Sequence, residues 1–242
     1  MGASRRGSAD QGWDGMVMDV DDDASVSEGV NRVLELHGHI DALVTCAGWG
    51  LGGAVEQTPI VDARAQMETN FWGSLRAVQA VLPGMRAAHG GRIVLLSSIG
   101  GLIGLPFQAF YSASKFAIEG LAEALAYEVE PFGVKVTLVE PGNVHTEFTD
   151  KRRTVSVPVI SAEARGDAYA AAVSKAVGIM EHDERNGVPP ERVAAVVHKV
   201  LKARRPPRRT SVGKASERVG LLAKRIFPFS LFQVAARSSL GA

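Results

Sequence analysis

What most constrains this chain is a set of strand-length, largely apolar runs separated by longer stretches of helical periodicity. "DALVTC" (41–46), "GRIVLLSS" (91–98) and "VKVTLVEPG" (134–142) are the clearest runs, and "GMVMDV" (15–20) reads as another strand. Strands apolar on both faces must be covered on both, which is the situation of a parallel sheet between two layers of helices. The segments between them supply those helices. "DDDASVSEGVNRVLELHG" has acids at its start and Gly38 at its end, 62–88 is a long helical stretch, and 110–133 is stopped by Pro131 and Gly133. Pro83 falls inside 62–88 and should bend or break that helix. Further on, 161–182 and 189–203 read as helices and "RRTSVG" (208–213) as a last strand.

With 242 residues the chain is long enough for one large α/β domain, and the reading adopted is a single domain over 1–242. A formal net charge of +1 supplies no field that would gather nucleic acid, so no nucleic-acid partner is expected. Cys46 is the sole cysteine, which rules out an intrachain disulfide and suits a reducing cytoplasm. Residues 1–15 lack the apolar core of a signal peptide, and no apolar run approaches a membrane span. From Lys202 to Arg225 there are nine Lys or Arg against one acid, Glu217. A membrane-surface helix is one reading of that tail. The reading preferred is a solvated face that packs on the domain or on a partner subunit. No metal site is expected.

The chemistry concentrates in "YSASK", Tyr111 to Lys115. Four residues apart on a helix, the phenol and the ammonium share one face. A cation beside a phenol favours phenolate and lowers its usual pKa of about 10. A tyrosine tuned this way can exchange a proton with an alcohol or carbonyl oxygen. Ser98 stands thirteen residues earlier, at the C-terminal end of a buried strand, where parallel α/β sheets place their ligands. Asn70 lies inside a long helix, where an amide is a poor intrinsic choice.

Five stretches, "DALVTCAG", "METNFWGS", "GRIVLLSSIGGLIGLP", "FYSASKFAIEGLAEAL" and "FGVKVTLVEPGNVHTEF", together resemble the short-chain dehydrogenase/reductase family in order and spacing. The likeness runs from about residue 15 to 150 and more loosely to 240, and is strongest to the branch with 17β-hydroxysteroid and retinol dehydrogenases. It implies a doubly wound parallel sheet of Rossmann type, with residues 150–242 giving substrate-loop helices, the last strand and an amphipathic tail. It implies hydride transfer between NADP(H), with NAD as the other option, and a small secondary alcohol or ketone, apolar ones included, in a homodimer or homotetramer. Carried onto this chain, Tyr111 is the general acid/base, Lys115 tunes it and meets the nicotinamide ribose, Ser98 holds the reacting oxygen, and Asn70 anchors a relay water. Pro141, Gly142, Val144 and Thr146 line the nicotinamide side, Asp19 and Val20 meet the adenine, and His145 faces the substrate.

The resemblance also reinterprets the run "TCAGWGLGGAVE". Gly48, Gly50 and Gly53 fit G-x-G-x-x-G, but Cys46, Ala47 and Gly48 match the family's N-A-G element beside the cofactor. Cys46 stands where the family usually has Asn, and a thiol is the weaker hydrogen-bonding group. The family's T-G-x-x-x-G-x-G fingerprint after a first strand is not found, so the fold is expected to be N-terminally truncated by a βα unit of on the order of 30 residues. "ASRR" (3–6) resembles the stretch where NADP-preferring members carry an arginine, which points to Arg5, or Arg6, for the 2′-phosphate. Strand 15–20 is expected to slide into the vacant slot beside strand 41–46. The alternative function is a non-catalytic remnant that acts as a binding or interaction protein.

Overall fold

The computed structural model describes residues 1–7, 14–155, 168–227 and 230. Its centre is a parallel sheet of four strands, β3 (Ala42–Thr45), β5 (Gly91–Leu96), β6 (Val134–Pro141) and β8 (Arg209–Val212), in that spatial order. Alternation along β5 shows why helices are needed above and below. Ile93 and Leu95 enter one core with Val78, Val81 and Met85 of α3 (Gly73–Ala87) and with Ile118, Ala122 and Leu125 of α4 (Ala109–Val129). Val94 and Leu96 enter the opposite core with Val139, Val212 and Val200, the last from α6 (Pro190–Lys202). Side chains at successive strand positions point to opposite faces, so a run apolar at every position serves both cores.

Two short parallel pairs stand apart from this sheet. One joins β1 (Gly2–Ser4) to β2 (Gly15–Val17), and the other joins β4 (Leu51–Gly52) to β7 (Arg153–Thr154). The sliding of strand 15–20 against strand 41–46 does not occur. β2 pairs with β1, and β3 has β5 as its one ladder partner among the described residues. The β1–β2 pair is tied to the body through side chains instead. Thr69 donates to Asp21 at 2.9 Å, and Arg76 donates to the Val20 carbonyl at 3.2 Å. A Cβ on Gly73 would lie 2.7 Å from the Val20 side chain, so only glycine admits that contact.

Helix ends follow local chemistry. α1 (Asp23–His37) starts where the Asp22 side chain accepts the Ser25 N–H at 2.7 Å, and ends at Gly38 in the left-handed region, φ 76°. The long helix expected over 62–88 is three pieces: α2 (Ile60–Met67), a π-helical turn at Glu68–Trp72, and α3. Its departure from α geometry falls at Asn70 and not at Pro83, which α3 carries in its interior. π turns accommodate one extra residue and are frequent at functional sites. The helix read over 161–182 is α5 (Ala170–Arg185), with 156–167 outside the described residues. Past β8, α7 (Ala215–Ile226) is amphipathic, and the remainder of the tail lies largely outside the described residues.

Candidate active site

Strand β5 delivers Ser98 and helix α4 delivers Tyr111 and Lys115 to one buried spot at the C-terminal end of the sheet. The Ser98 hydroxyl accepts the Gly100 N–H at 3.0 Å and hydrogen-bonds the Tyr111 hydroxyl. Lys115 donates to the Leu96 carbonyl at 2.9 Å, which fixes its ammonium 5.9 Å from the Tyr111 ring centre. The shared helical face is as expected, but the electrostatics are not. Burial pushes the Tyr111 phenol up to about 12, against a smaller downward pull from Ser98. Glu184 adds to the rise and Arg152 opposes it. Burial also pushes Lys115 down to about 8, opposed by Cys46 and Glu119. In this state Tyr111 is a proton-bearing acid, because desolvation outweighs the opposing pull of Ser98 and Arg152.

Asn70 occupies the π turn and is fully buried. Its side-chain amide donates to the Trp49 carbonyl at 3.1 Å and to the Ser114 hydroxyl at 3.0 Å, and its Oδ1 accepts the Trp49 N–H at 3.0 Å. The side chain is thus engaged by protein, pinning the glycine run to α4. The π turn explains why an amide sits mid-helix: it ties two neighbouring segments from there.

Cys46, Ala47 and Gly48 form an exposed strip that follows β3. A Cβ on Gly48 would lie 3.2 Å from Asn70 Oδ1 and 3.8 Å from Lys115 Nζ, so this strip passes directly beside the lysine. That geometry fits the ribose end of a nicotinamide cofactor, with Lys115 as donor and glycine keeping the approach open. Pro141 ends β6 and Gly142 follows it next to β8, where the Gly142 N–H meets the Val212 carbonyl at 2.7 Å and Glu217 accepts the Asn143 N–H at 2.8 Å. Val144 bridges to Val188, and the Thr146 hydroxyl caps the Phe148 N–H at 3.2 Å. Asp19 accepts the Asp21 N–H at 3.1 Å in the turn after β2, and Val20 packs on Gly73. Arg5 and Arg6 are exposed in the turn after β1. His145 is also exposed, with its backbone N–H on Val188.

The ring against Tyr111 is instead Phe148, 5.8 Å away and tilted by 60°. Behind Phe148 lies Arg152, with its guanidinium 5.9 Å from that ring. Arg152 is paired with Glu184 of α5, whose other oxygen accepts from Thr149 at 2.8 Å. The sequence stretch "HTEF" ends in Phe148, but sequence reading gives no role to Phe148 or Arg152, although their spacing of four on a turn following the site is visible. Glu184 is remote in sequence and had no such signal. A second buried group, Glu119 and Glu140 sharing Arg209, lies behind α4.

The known proteins similar to this chain agree with the geometry. Residues 4–156 match the family model described as short chain dehydrogenase. A 3-ketodihydrosphingosine reductase of Bacteroides thetaiotaomicron is 40% identical over 98% of this chain and 86% of its own length. The 17-beta-hydroxysteroid dehydrogenase type 1 of Mus musculus is 46% identical over 55% of this chain but only 38% of its own length. Among solved structures, a short-chain dehydrogenase from Streptomyces avermitilis superposes with a TM-score of 0.76 at 29% identity, over 93% of this chain and 79% of that one. With the parallel sheet, the matched span and a relative 40% identical over nearly the whole chain, this protein belongs to the short-chain dehydrogenase family of oxidoreductases.

Proposed function

We propose that this chain transfers hydride between NADP(H) and a ketone or secondary alcohol, and that reduction of the ketone is the direction its resting state favours. The observation that carries the reading is the convergence of the Ser98 and Tyr111 hydroxyls in a buried spot flanked by Lys115 and the open strip at 46–48. A carbonyl oxygen seated between the two hydroxyls would accept a hydrogen bond from Ser98 and a proton from Tyr111. A phenol pushed up to about 12 holds that proton until negative charge develops on the oxygen, and Lys115 then favours the phenolate left behind. A bound nicotinamide would supply the hydride. Lys115 and Gly48 would hold its ribose, Pro141, Gly142, Val144 and Thr146 its ring side, and Asp19 and Val20 its adenine. NADP is favoured over NAD because Arg5 and Arg6, exposed in the turn after β1, could meet the 2′-phosphate.

The near full-length likeness to a 3-ketodihydrosphingosine reductase makes that long-chain amino ketone the first substrate to try. We also assign the protein to the reducing cytoplasm and to a homodimer or homotetramer joined through the 62–88 segment (α2, the π turn and α3) and α4. The half-exposed aromatic rings Trp72 and Phe116, with Tyr127 further out, are the surface that would be covered. Light scattering at micromolar concentration reads the assembly directly. The activity test follows NADPH consumption with 3-ketodihydrosphingosine in the wild type and in Tyr111→Phe. Turnover that the substitution abolishes is expected. Equal rates in the two proteins would remove Tyr111 from the chemistry, and tight NADPH binding without turnover of any ketone would favour a binding protein.

A further inference from the structure

Arg152 is the feature that the proton chemistry at Tyr111 leaves unexplained. Its side chain is 1% exposed, yet among the described residues only one of its nitrogens is engaged, by Glu184. Nε and Nη1 are buried with no hydrogen-bond partner. Leaving two donors of a buried guanidinium unmet is costly, so such a group points to an acceptor that arrives from outside. The neighbourhood identifies the direction. Arg152 stands one aromatic ring behind Tyr111, with Phe148 between them. Its charge is felt at the Tyr111 hydroxyl.

The glycine run lets the backbone approach this arginine closely. A Cβ on Gly50 would lie 3.1 Å from the Phe148 ring and 3.6 Å from Arg152 Nε. Gly50 is itself buried, so a side chain there would press on the Phe148 ring and on the guanidinium. The β4–β7 pairing, with the Arg153 N–H on the Gly50 carbonyl at 2.9 Å, holds this strand of the loop against the arginine. Gly50 and Gly52 thus border Arg152, whereas Gly48 borders Lys115.

We propose that Arg152 is a specificity-determining residue whose free Nε and Nη1 bind an uncharged oxygen acceptor, a hydroxyl or carbonyl, carried by the ketone substrate away from its reacting carbon. Glu184 already balances the guanidinium charge, and its own oxygens are engaged by Arg152 and Thr149. The pair therefore offers directed donors without net charge, which suits a neutral acceptor over a carboxylate. This rests on the ketone-reductase reading above.

The test compares substrates before it compares variants. Linear ketones of twelve carbons, each with a hydroxyl placed one to four carbons from the ketone, are paired with the parent ketone and with the matching keto acid. Wild-type kcat/KM is expected to favour the best hydroxyketone over its parent by about tenfold or more, the scale of one hydrogen bond from a charged donor. The keto acid should show no such gain. In Arg152→Met the ratio of hydroxyketone to parent should fall toward one, a readout that a purely structural arginine would not move. Because the single substitution leaves Glu184 buried without its partner, Arg152→Met/Glu184→Gln is measured beside it. No preference for any hydroxyketone in the wild type, a preference for the keto acid, or a preference that survives both variants would overturn the proposal. If no ketone is reduced at all, the activity reading fails. Calorimetric binding of the corresponding diols against mono-alcohols then decides the role of Arg152, with the same tenfold ratio expected.

Discussion

The four-stranded sheet and the β1–β2 pair differ in how they are held. In the sheet, Ile93, Leu95 and Val139 have no exposed surface. In the pair, no residue of either strand is buried and Val17 is 69% exposed. In the proposed reaction the two regions would serve different parts. Ser98, Tyr111 and Lys115 hang from the dense region, and Arg5, Asp19 and Val20 from the thin one. Proton transfer needs groups fixed to fractions of an ångström and desolvated enough to shift their pKa values, which dense packing supplies. Grip on a nucleotide's adenine end tolerates looser support, because it is distributed over several weak contacts. The thin region is stiffened only where it matters, by Thr69 on Asp21 and Arg76 on the Val20 carbonyl, both beside the π turn that carries Asn70.

The largest expected effect separates the regions by function. Tyr111→Phe should lower kcat/KM for the ketone by at least about a hundredfold, the lower range for loss of a general acid. Arg5→Ala/Arg6→Ala, two exposed charges on the thin pair, should cost about tenfold or less, and only with NADPH, not NADH. If the arginine variant loses as much as the tyrosine variant, the division of labour fails.

The next effect is on stability. Ile93→Ala opens a cavity between α3 and α4 under the middle of β5 and should cost about 2–5 kcal/mol. Urea unfolding reads the loss. A cost below about 1 kcal/mol would mean that the sheet collapses around the gap and is not the rigid support inferred.

Much of this was legible in the sequence, for identifiable reasons. The strands at 42–45, 91–96 and 134–141 announce themselves because both their faces pack on apolar cores, and the Tyr111–Lys115 face because helical spacing fixes it. The π turn was hidden, since an extra residue in one helical turn leaves apolar periodicity nearly intact, and Pro83 was the more conspicuous breaker. The pairing of 15–17 was misjudged because an unpaired edge on strand 41–46 was weighed as backbone cost alone. Side chains from Thr69 and Arg76 hold β2 where it is. The rise at Tyr111 was missed because a cation four residues away is visible in sequence, whereas burial is not. Arg152 and Glu184 meet only when α5 folds back over Phe148.

A pH effect of intermediate size belongs to the dense region. Burial pushes Glu119 up to about 7, with Glu140 and Glu123 adding to the rise and Ser97 and Arg209 opposing it. A carboxyl whose folded value exceeds its unfolded value favours the folded state while protonated. That contribution is complete below about 4.5 and is lost as pH rises through about 7. Wild type should therefore lose on the order of 1–3 kcal/mol between pH 4.5 and 8 relative to Glu119→Gln, measured as the difference of their urea midpoints at each pH. Parallel pH curves for the two proteins would show that Arg209 compensates the buried charge in full.

The smallest effect tests the thin region on its own terms. Val17 ends β2 with its side chain in solvent, so Val17→Ala removes almost no buried area. Only the modest strand preference of a β-branched residue is lost, and the cost should stay within about 0.5 kcal/mol. Hydrogen exchange gives the sharper reading. The N–H of Met18 meets the Ser4 carbonyl at 3.0 Å across this pair, and the N–H of Ser97 meets the Val139 carbonyl at 2.9 Å in the sheet. Similar lengths in unequal surroundings isolate the effect of burial. The Ser97 amide should exchange only with opening of the sheet, and the Met18 amide by local opening with far less protection. Val17→Ala should speed exchange at Met18 and leave Ser97 unchanged. Equal protection at the two amides in the wild type would show that the side-chain ties to Thr69 and Arg76 make β1–β2 part of the same cooperative unit as the sheet, and the contrast between the regions would then lie in exposure alone.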